Sequence, residues 1–148
     1  VAVGEGGNVA TVDLTTRKAT KSTIKDSTQT LVDTLYSGDG NIVFVAEASG
    51  KVYLLDASSL DELGVLAAPE DLQEMCLSPN GDLLATAPGK DKVAVVWDWK
   101  ERREKRRLKG HGDAVTTVDF HPSGNILATG SLDGSIRLWD ASFFTTNE

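Results

Sequence analysis

The side chains that could do chemistry are few in this sequence, and they are not grouped. There are two histidines, His111 and His121, and a single cysteine, Cys76. Zinc sites need Cys and His ligands at close spacing, which these residues do not offer. Cys76 lies within an apolar run, so we interpret it as a buried structural thiol. The acidic residues are scattered, neither paired for acid–base catalysis nor spaced as a calcium loop. The sequence therefore predicts no metal, no cofactor and no enzymatic activity.

A glycine-rich run at positions 4–8 could suggest a phosphate-binding loop. It carries no lysine, and the residues after it have the pattern of a strand and not of a helix. Both features favour a tight turn between two strands over a phosphate site.

One basic stretch departs from the acidic average of the chain, whose formal net charge is −7. Positions 100–109 read KERREKRRLK, with seven basic and two acidic residues. One interpretation is an exposed outer strand whose charges prevent strand addition. The other is an anion site for an acidic peptide, a phosphoprotein or an RNA backbone. Its candidate residues are Arg102, Arg103, Lys105, Arg106 and Arg107. No aromatic residue is interleaved for base stacking, so sequence-specific RNA binding is disfavoured.

Short apolar runs recur along the chain with a constant period. Asp13, Asp56, Asp98 and Asp140 each close such a run, at separations of 43, 42 and 42 residues. Turn residues rich in Gly, Pro, Asn and Asp lie between the runs at matching intervals. Alternating apolar residues bounded by such turns are typical of β-strands. The sequence therefore predicts an all-β repeat protein.

The segment 110–140 carries a specific resemblance. It opens with Gly110-His111 and closes with Trp139-Asp140, and it resembles a WD40 repeat along its whole length. The resemblance implies one blade of a β-propeller, repeating at about 40–45 residues. We therefore expect a partial WD40 propeller of about three and a half four-stranded blades. The expected units are an incomplete blade at 1–24, blades at 25–66 and 67–108, and a blade lacking its outer strand at 109–148.

An arc of that size leaves blade faces exposed, because propellers close with about 4–8 blades. The ring could be completed by another part of the same parent protein, by a second copy of the chain, or by blades missing from this sequence. Two copies would meet out of phase. The sequence begins inside the second strand of one blade and ends after the third strand of another, so the next copy would not resume at the fourth strand. We therefore expect a segment of a larger propeller.

The resemblance also implies a structural hydrogen-bonded tetrad in the last blade. Its members are His111, Thr129, Asp133 and Trp139, a set that could be mistaken for a catalytic triad but is structural in this family. The third blade retains Thr86, Asp91 and Trp97. The second retains no convincing member, so we expect apolar packing to hold it together.

The function that the resemblance implies is a non-catalytic scaffold for protein partners in an intracellular complex, cytoplasmic or nuclear, with nucleolar location possible. The loops on one face would supply the contacts. The candidate contact residues are Asn8, Glu47, Lys51, Lys90, Lys92, Asp113, Leu132 and Ser135. The alternative is an RNA-associated factor, for example in a pre-ribosomal particle, that uses the basic strand. No apolar run approaches the roughly 20 residues that span a bilayer, so no membrane partner is expected.

Overall fold

The computed structural model describes residues 2–3 and 5–144. Over that range the chain forms fourteen strands in four antiparallel sheets. The first sheet contains β1 (Ala2–Val3), β2 (Asn8–Val12) and β3 (Ala19–Thr23). The second contains β4 (Leu31–Tyr36), β5 (Ile42–Glu47), β6 (Lys51–Asp56) and β7 (Glu62–Ala67). The third contains β8 (Leu72–Leu77), β9 (Leu83–Pro88), β10 (Val93–Asp98) and β11 (Arg103–Lys109). The fourth contains β12 (Val115–Phe120), β13 (Ile126–Ser131) and β14 (Ile136–Asp140).

Strands that follow each other in the chain lie side by side within every sheet. The second and third sheets have four strands, whereas the described parts of the first and fourth have three. This arrangement confirms the predicted fold class, an all-β chain consistent with a partial WD40 propeller.

Each sheet packs one apolar face on the next sheet in the chain. Val9 of the first sheet packs with Val43, Val45 and Tyr53 of the second. The opposite face of the second sheet meets the third, and the opposite face of the third meets the fourth. The alternation of strand residues explains this pattern, because neighbouring side chains point to opposite faces.

The aspartates that close the repeated apolar runs cap the turn after each run. Asp56 Oδ1 accepts bonds from the peptide N–H of Ser58 and Ser59, both 2.9 Å away, and from the Ser58 hydroxyl. The Ser58 hydroxyl and these peptide groups lower the pKa of Asp56 to about 2. Asp13, Asp98 and Asp140 accept equivalent bonds from the residues two or three positions on. The 42- to 43-residue spacing therefore reflects a repeated turn.

Gly50 and Gly40 allow a comparison of two glycines with positive φ. At Gly50 (φ +91) a Cβ would collide with the carbonyl oxygens of Ala68 and Pro69, whereas at Gly40 (φ +74) nothing lies within 4 Å. We predict that Gly40→Ala costs about 1–2 kcal/mol of folding free energy from backbone strain alone. Gly50→Ala should cost about 3 kcal/mol or more, because the backbone must also move. Urea unfolding of both variants measures the difference, and equal losses would contradict this packing.

Candidate functional site

The four side chains predicted for the tetrad come together in the fourth sheet. His111 Nε2 lies 2.7 Å from Thr129 Oγ1, and Trp139 Nε1 donates to the same hydroxyl oxygen over 2.9 Å. His111 Nδ1 lies 3.2 Å from Asp133 Oδ2 and 3.1 Å from Ser135 Oγ. Donation from Nδ1–H to this pair leaves Nε2 to accept from the Thr129 hydroxyl, so each group is satisfied. The cluster joins the loop before β12 to β13, β14 and the turn between them.

Asp133 organises the turn between β13 and β14. The hydroxyl of Ser135 and the peptide N–H groups of Gly112 and Ser135 hold its pKa well below the ordinary range. Gly112 N–H donates to Asp133 Oδ2 over 2.6 Å, which ties this turn to the loop before β12. The carboxylate therefore serves as a fixed acceptor for two loops.

The enclosure of this cluster argues against nucleophilic catalysis. Thr129 is 1% exposed and His111 is 6% exposed. The Thr129 oxygen already accepts the indole N–H and faces the imidazole. A nucleophile must reach its substrate, and this hydroxyl is buried inside the sheet stack.

The third sheet has a smaller version of the cluster. Trp97 Nε1 donates to Thr86 Oγ1 over 3.0 Å, and that hydroxyl lies 3.3 Å from the carbonyl oxygen of Val95. Asp91 does not join this pair; its carbonyl oxygen accepts from the peptide N–H of Val115 instead. Within the described residues this sheet therefore holds a Thr–Trp pair, and the place of Asp91 in a partial tetrad stays a prediction.

The two threonines should differ in their contribution to stability. Thr129→Val removes the acceptor of an indole and the partner of a buried imidazole, so we expect a loss of about 2–3 kcal/mol. Thr86→Val keeps the shape and removes the indole bond and the longer bond to the Val95 carbonyl oxygen, for an expected loss of about 1 kcal/mol. Chemical denaturation of both variants tests this order. Equal losses would mean that the His111 contact contributes nothing.

The second sheet contains a polar cluster that the sequence reasoning did not predict. Glu47, at the end of β5, is fully buried. Its Oε1 accepts from the peptide N–H of Thr28 over 2.7 Å and of Gln29 over 2.6 Å. Its Oε2 accepts from the hydroxyls of Ser49 over 2.9 Å and Tyr53 over 3.0 Å. The carboxylate therefore fixes the loop before β4 to β5, β6 and the turn between them.

The prediction that Glu47 contacts a partner through an exposed side chain is wrong for this reason. Burial acts to raise the pKa of Glu47, but the bonds from Gln29, Thr28, Ser49 and Tyr53 outweigh it and hold the pKa below its ordinary value. The expectation that the second blade rests more on apolar packing did not include this polar cluster. A signal was present in the sequence, since Tyr53 and Glu47 flank the Ala48–Gly50 turn after an otherwise apolar strand.

We predict that Glu47→Ala destabilises the chain by about 3 kcal/mol, because it leaves buried N–H groups without acceptors. The lowered pKa also predicts a pH dependence. The stabilisation by Glu47 is fully present above its unfolded-chain pKa of about 4.3 and is lost as pH falls through the lower folded pKa.

The measurement is the difference in unfolding free energy between the natural chain and Glu47→Ala from pH 7 to pH 3. Tyr53→Phe, which removes one of the donors, should show a smaller loss of about 1 kcal/mol. A difference independent of pH would contradict the ionised state of this carboxylate.

Most of the other predicted contact residues are exposed, and several of them also form hydrogen bonds within the chain. The side chains of Lys90 and Leu132 are exposed. Lys92 Nζ donates to the carbonyl of Gly112 over 2.7 Å, which links two neighbouring repeats, and Lys51 Nζ donates to that of Asp26, in the loop before β4, over 3.2 Å. Asn8 bonds with Thr23 across the first sheet, Ser135 belongs to the His111 cluster, and the Asp113 carbonyl accepts from Ser131.

The basic stretch forms the outer strand β11 and the turn before it. Arg107 makes a two-pronged ion pair with Glu104, with both N–O distances 2.8 Å. Arg103 lies 3.9 Å from Asp98. Arg102 Nη2 donates to the carbonyl of Leu63 over 3.0 Å, and its guanidinium packs on Gly64. At least these three of the five candidate cations, which also include Lys105 and Arg106, therefore act within the fold. This arrangement weakens the anion-site interpretation.

A reactive thiol at Cys76 and a metal-binding cluster are the other two chemical features to consider. Burial raises the pKa of the Cys76 thiol to about 12, so it is not a thiolate at neutral pH. The described residues contain no group of three or more His, Cys, Asp or Glu that could hold a metal ion. Nor do they contain a helix long and apolar enough to cross a membrane.

Comparison with known proteins identifies relatives in one family. The sequence model of the family described as "WD domain, G-beta repeat" matches residues 63–98 and 102–140. The chain is 30% identical over 104 residues to "Periodic tryptophan protein 2 homolog" of Caenorhabditis elegans, covering 68% of this chain and 11% of that protein.

Two further relatives are similar at comparable levels. "Eukaryotic translation initiation factor 3 subunit I" of Anopheles gambiae is 27% identical over 155 residues, covering 95% of this chain and 47% of that protein. "Serine-threonine kinase receptor-associated protein" of Homo sapiens is 31% identical over 104 residues, covering 70% of this chain and 29% of that protein. The chain thus spans less than half the length of these relatives.

Proposed function

Because the chain belongs to the WD domain, G-beta repeat family, we propose that it is a non-catalytic protein-interaction scaffold, one segment of a propeller within a multi-protein intracellular assembly. The buried polar clusters support a scaffold over an enzyme, since they tie loops together and enclose the Thr129 hydroxyl that a nucleophilic mechanism would need to expose. The name of one relative, a subunit of a translation initiation factor, supports work within a complex. We propose a cytoplasmic or nuclear location for that assembly.

The observation that carries this proposal is the uncovered face of the fourth sheet. Ile136 and Leu138 are 77% and 70% exposed. At the equivalent positions of the third sheet, Ala94 and Val96 are fully buried by the fourth sheet. Val52 and Leu54 of the second sheet are likewise buried by the third.

The repeat therefore indicates what covers this face, namely the inner strands of a further blade. Burying a side chain such as Leu138 contributes about 1.5–3 kcal/mol. A segment of the same parent protein is our preferred source of that blade, and a second copy of the chain is the alternative. The end of the sheets with the turns after β5, β9 and β13 would then contact protein partners, with Lys90 and Leu132 as its most exposed members.

Site-specific photo-crosslinking in cells of the source organism tests this division of surfaces. A photoreactive residue at Leu138 should capture peptides of a WD repeat, because that face is proposed to pack on another blade. The same residue at Leu132 should capture a partner without such repeats. Mass spectrometry of the crosslinked peptides identifies both.

Leu63 is the matched control, since it is a leucine 50% exposed on the outer strand β7, away from both surfaces. Crosslinks to this chain's own peptides at Leu138 would indicate completion by a second copy. Products at Leu138 identical to those at Leu63, or capture there of a protein without WD repeats, would contradict the proposed completion of the propeller.

A further inference from the structure

The inner strands β4, β8 and β12 are the first strands of the second, third and fourth sheets. At two places a carboxylate on one inner strand accepts a hydrogen bond from the inner strand of the next sheet. Asp33 Oδ2, on β4, accepts from the peptide N–H of Met75 on β8 over 2.9 Å. Glu74 Oε2, on β8, accepts from the peptide N–H of Val118 on β12 over 3.0 Å. Both bonds are partly buried and cross between sheets, so they supplement the apolar stacking.

The two carboxylates occupy the same position in their repeats. Asp33 lies directly after the register shift between β4 and β5, opposite Ala46. Glu74 lies directly after the equivalent shift between β8 and β9, opposite Ala87. The acceptor position is therefore set by the bulge, a feature that re-aims side chains at the end of a strand pair.

Thr34 occupies in β4 the position that Met75 and Val118 occupy in the following sheets. Its peptide N–H donates to the neighbouring Asp33 Oδ1 over 2.7 Å. Its hydroxyl oxygen is buried and has no hydrogen-bond partner among the described residues. A buried hydroxyl without a partner costs about 1–3 kcal/mol, so this position favours an acceptor.

The neighbouring strand in the first sheet is β1, which packs against β4. Its Val3 pairs with Val9, as Ala46 pairs with Val52 in the second sheet. The edge of β1 that faces away from β2 has no paired strand in the described part of the chain. An inner strand on that edge would stand beside β4 as β4 stands beside β8.

We infer that an inner strand pairs with this edge of β1 and carries an aspartate or glutamate opposite Val3, whose carboxylate accepts hydrogen bonds from Thr34. The inference rests on the proposed completion of the propeller and specifies the chemistry of one covering strand. Thr34 would make this edge selective for a strand with an acidic residue. A strand with an apolar residue at that position would leave the Thr34 hydroxyl buried and unpaired.

A grafted strand tests this inference in the full chain. A copy of residues 72–84 joined directly before Val1 supplies an inner strand and its turn, with the copied Glu74 opposite Val3. Urea unfolding is then measured for the graft, for Glu74→Met in the copy only, for Thr34→Val, and for both changes together. Each single change should lower the folding equilibrium constant about tenfold. The double variant should lose little more than either one, because both changes remove the same bond.

The same Thr34→Val change in the chain without the graft is the control. There it should leave stability unchanged or raise it, since it removes a hydroxyl without a partner. Additive losses in the double variant, or no effect of Glu74→Met in the copy, would each overturn the inference. The crosslinks at Leu138 report on the opposite end of the arc, so a failure here is distinguishable from a failure of the proposed function.

Discussion

The structure depends on the burial of each sheet's apolar face by the sheet that follows it. Three such interfaces lie along the chain and use equivalent strand positions, such as Val52 in the second sheet and Ala94 in the third. At the fourth sheet the same positions carry Ile136 and Leu138, which face solvent. A sheet in this architecture is stable through its neighbours, as in other repeat proteins. The exposed face of the fourth sheet is therefore energetically unfavourable, and it is the observation on which the proposed completion of the propeller rests.

Polar clusters within the sheets vary more than this stacking does. The fourth sheet uses His111 with Asp133, the third uses only Thr86 with Trp97, and the second uses Glu47. In the second and fourth sheets the cluster connects the loop before the first strand to the turn after the second strand. Because apolar stacking already fixes the strands, each repeat needs only some set of donors and acceptors that holds these loops. Loops held in this way form a surface with little entropy left to lose on binding.

The regular part of the fold was predictable from the sequence, because strand alternation and turn residues are local signals. The period marked by Asp56 and Asp98 located the turns, and the residues around Trp139 indicated one polar cluster. The role of Glu47 was not predictable in this way, since its peptide donors at Thr28 and Gln29 lie 19 and 18 residues away. The same holds for the bond from Met75 to Asp33, which crosses 42 residues and depends on how two sheets stack. From sequence alone, a charged residue in a strand is predicted to be exposed, because the distant donors that would satisfy it when buried are not known.

Residue-resolved hydrogen exchange on the chain alone is the most direct test of the central claim, that each sheet is stabilised by the sheet covering it. Strands β9 and β13 are matched for this purpose, because each is hydrogen-bonded to a strand on both sides. They differ in that the fourth sheet covers one face of β9 and buries Leu83, whereas Ile126, at the equivalent position of β13, is exposed. The account predicts that amides of β13 exchange at least about tenfold faster than those of β9, a difference of about 1.4 kcal/mol in local stability. Equal protection of the two strands would contradict it.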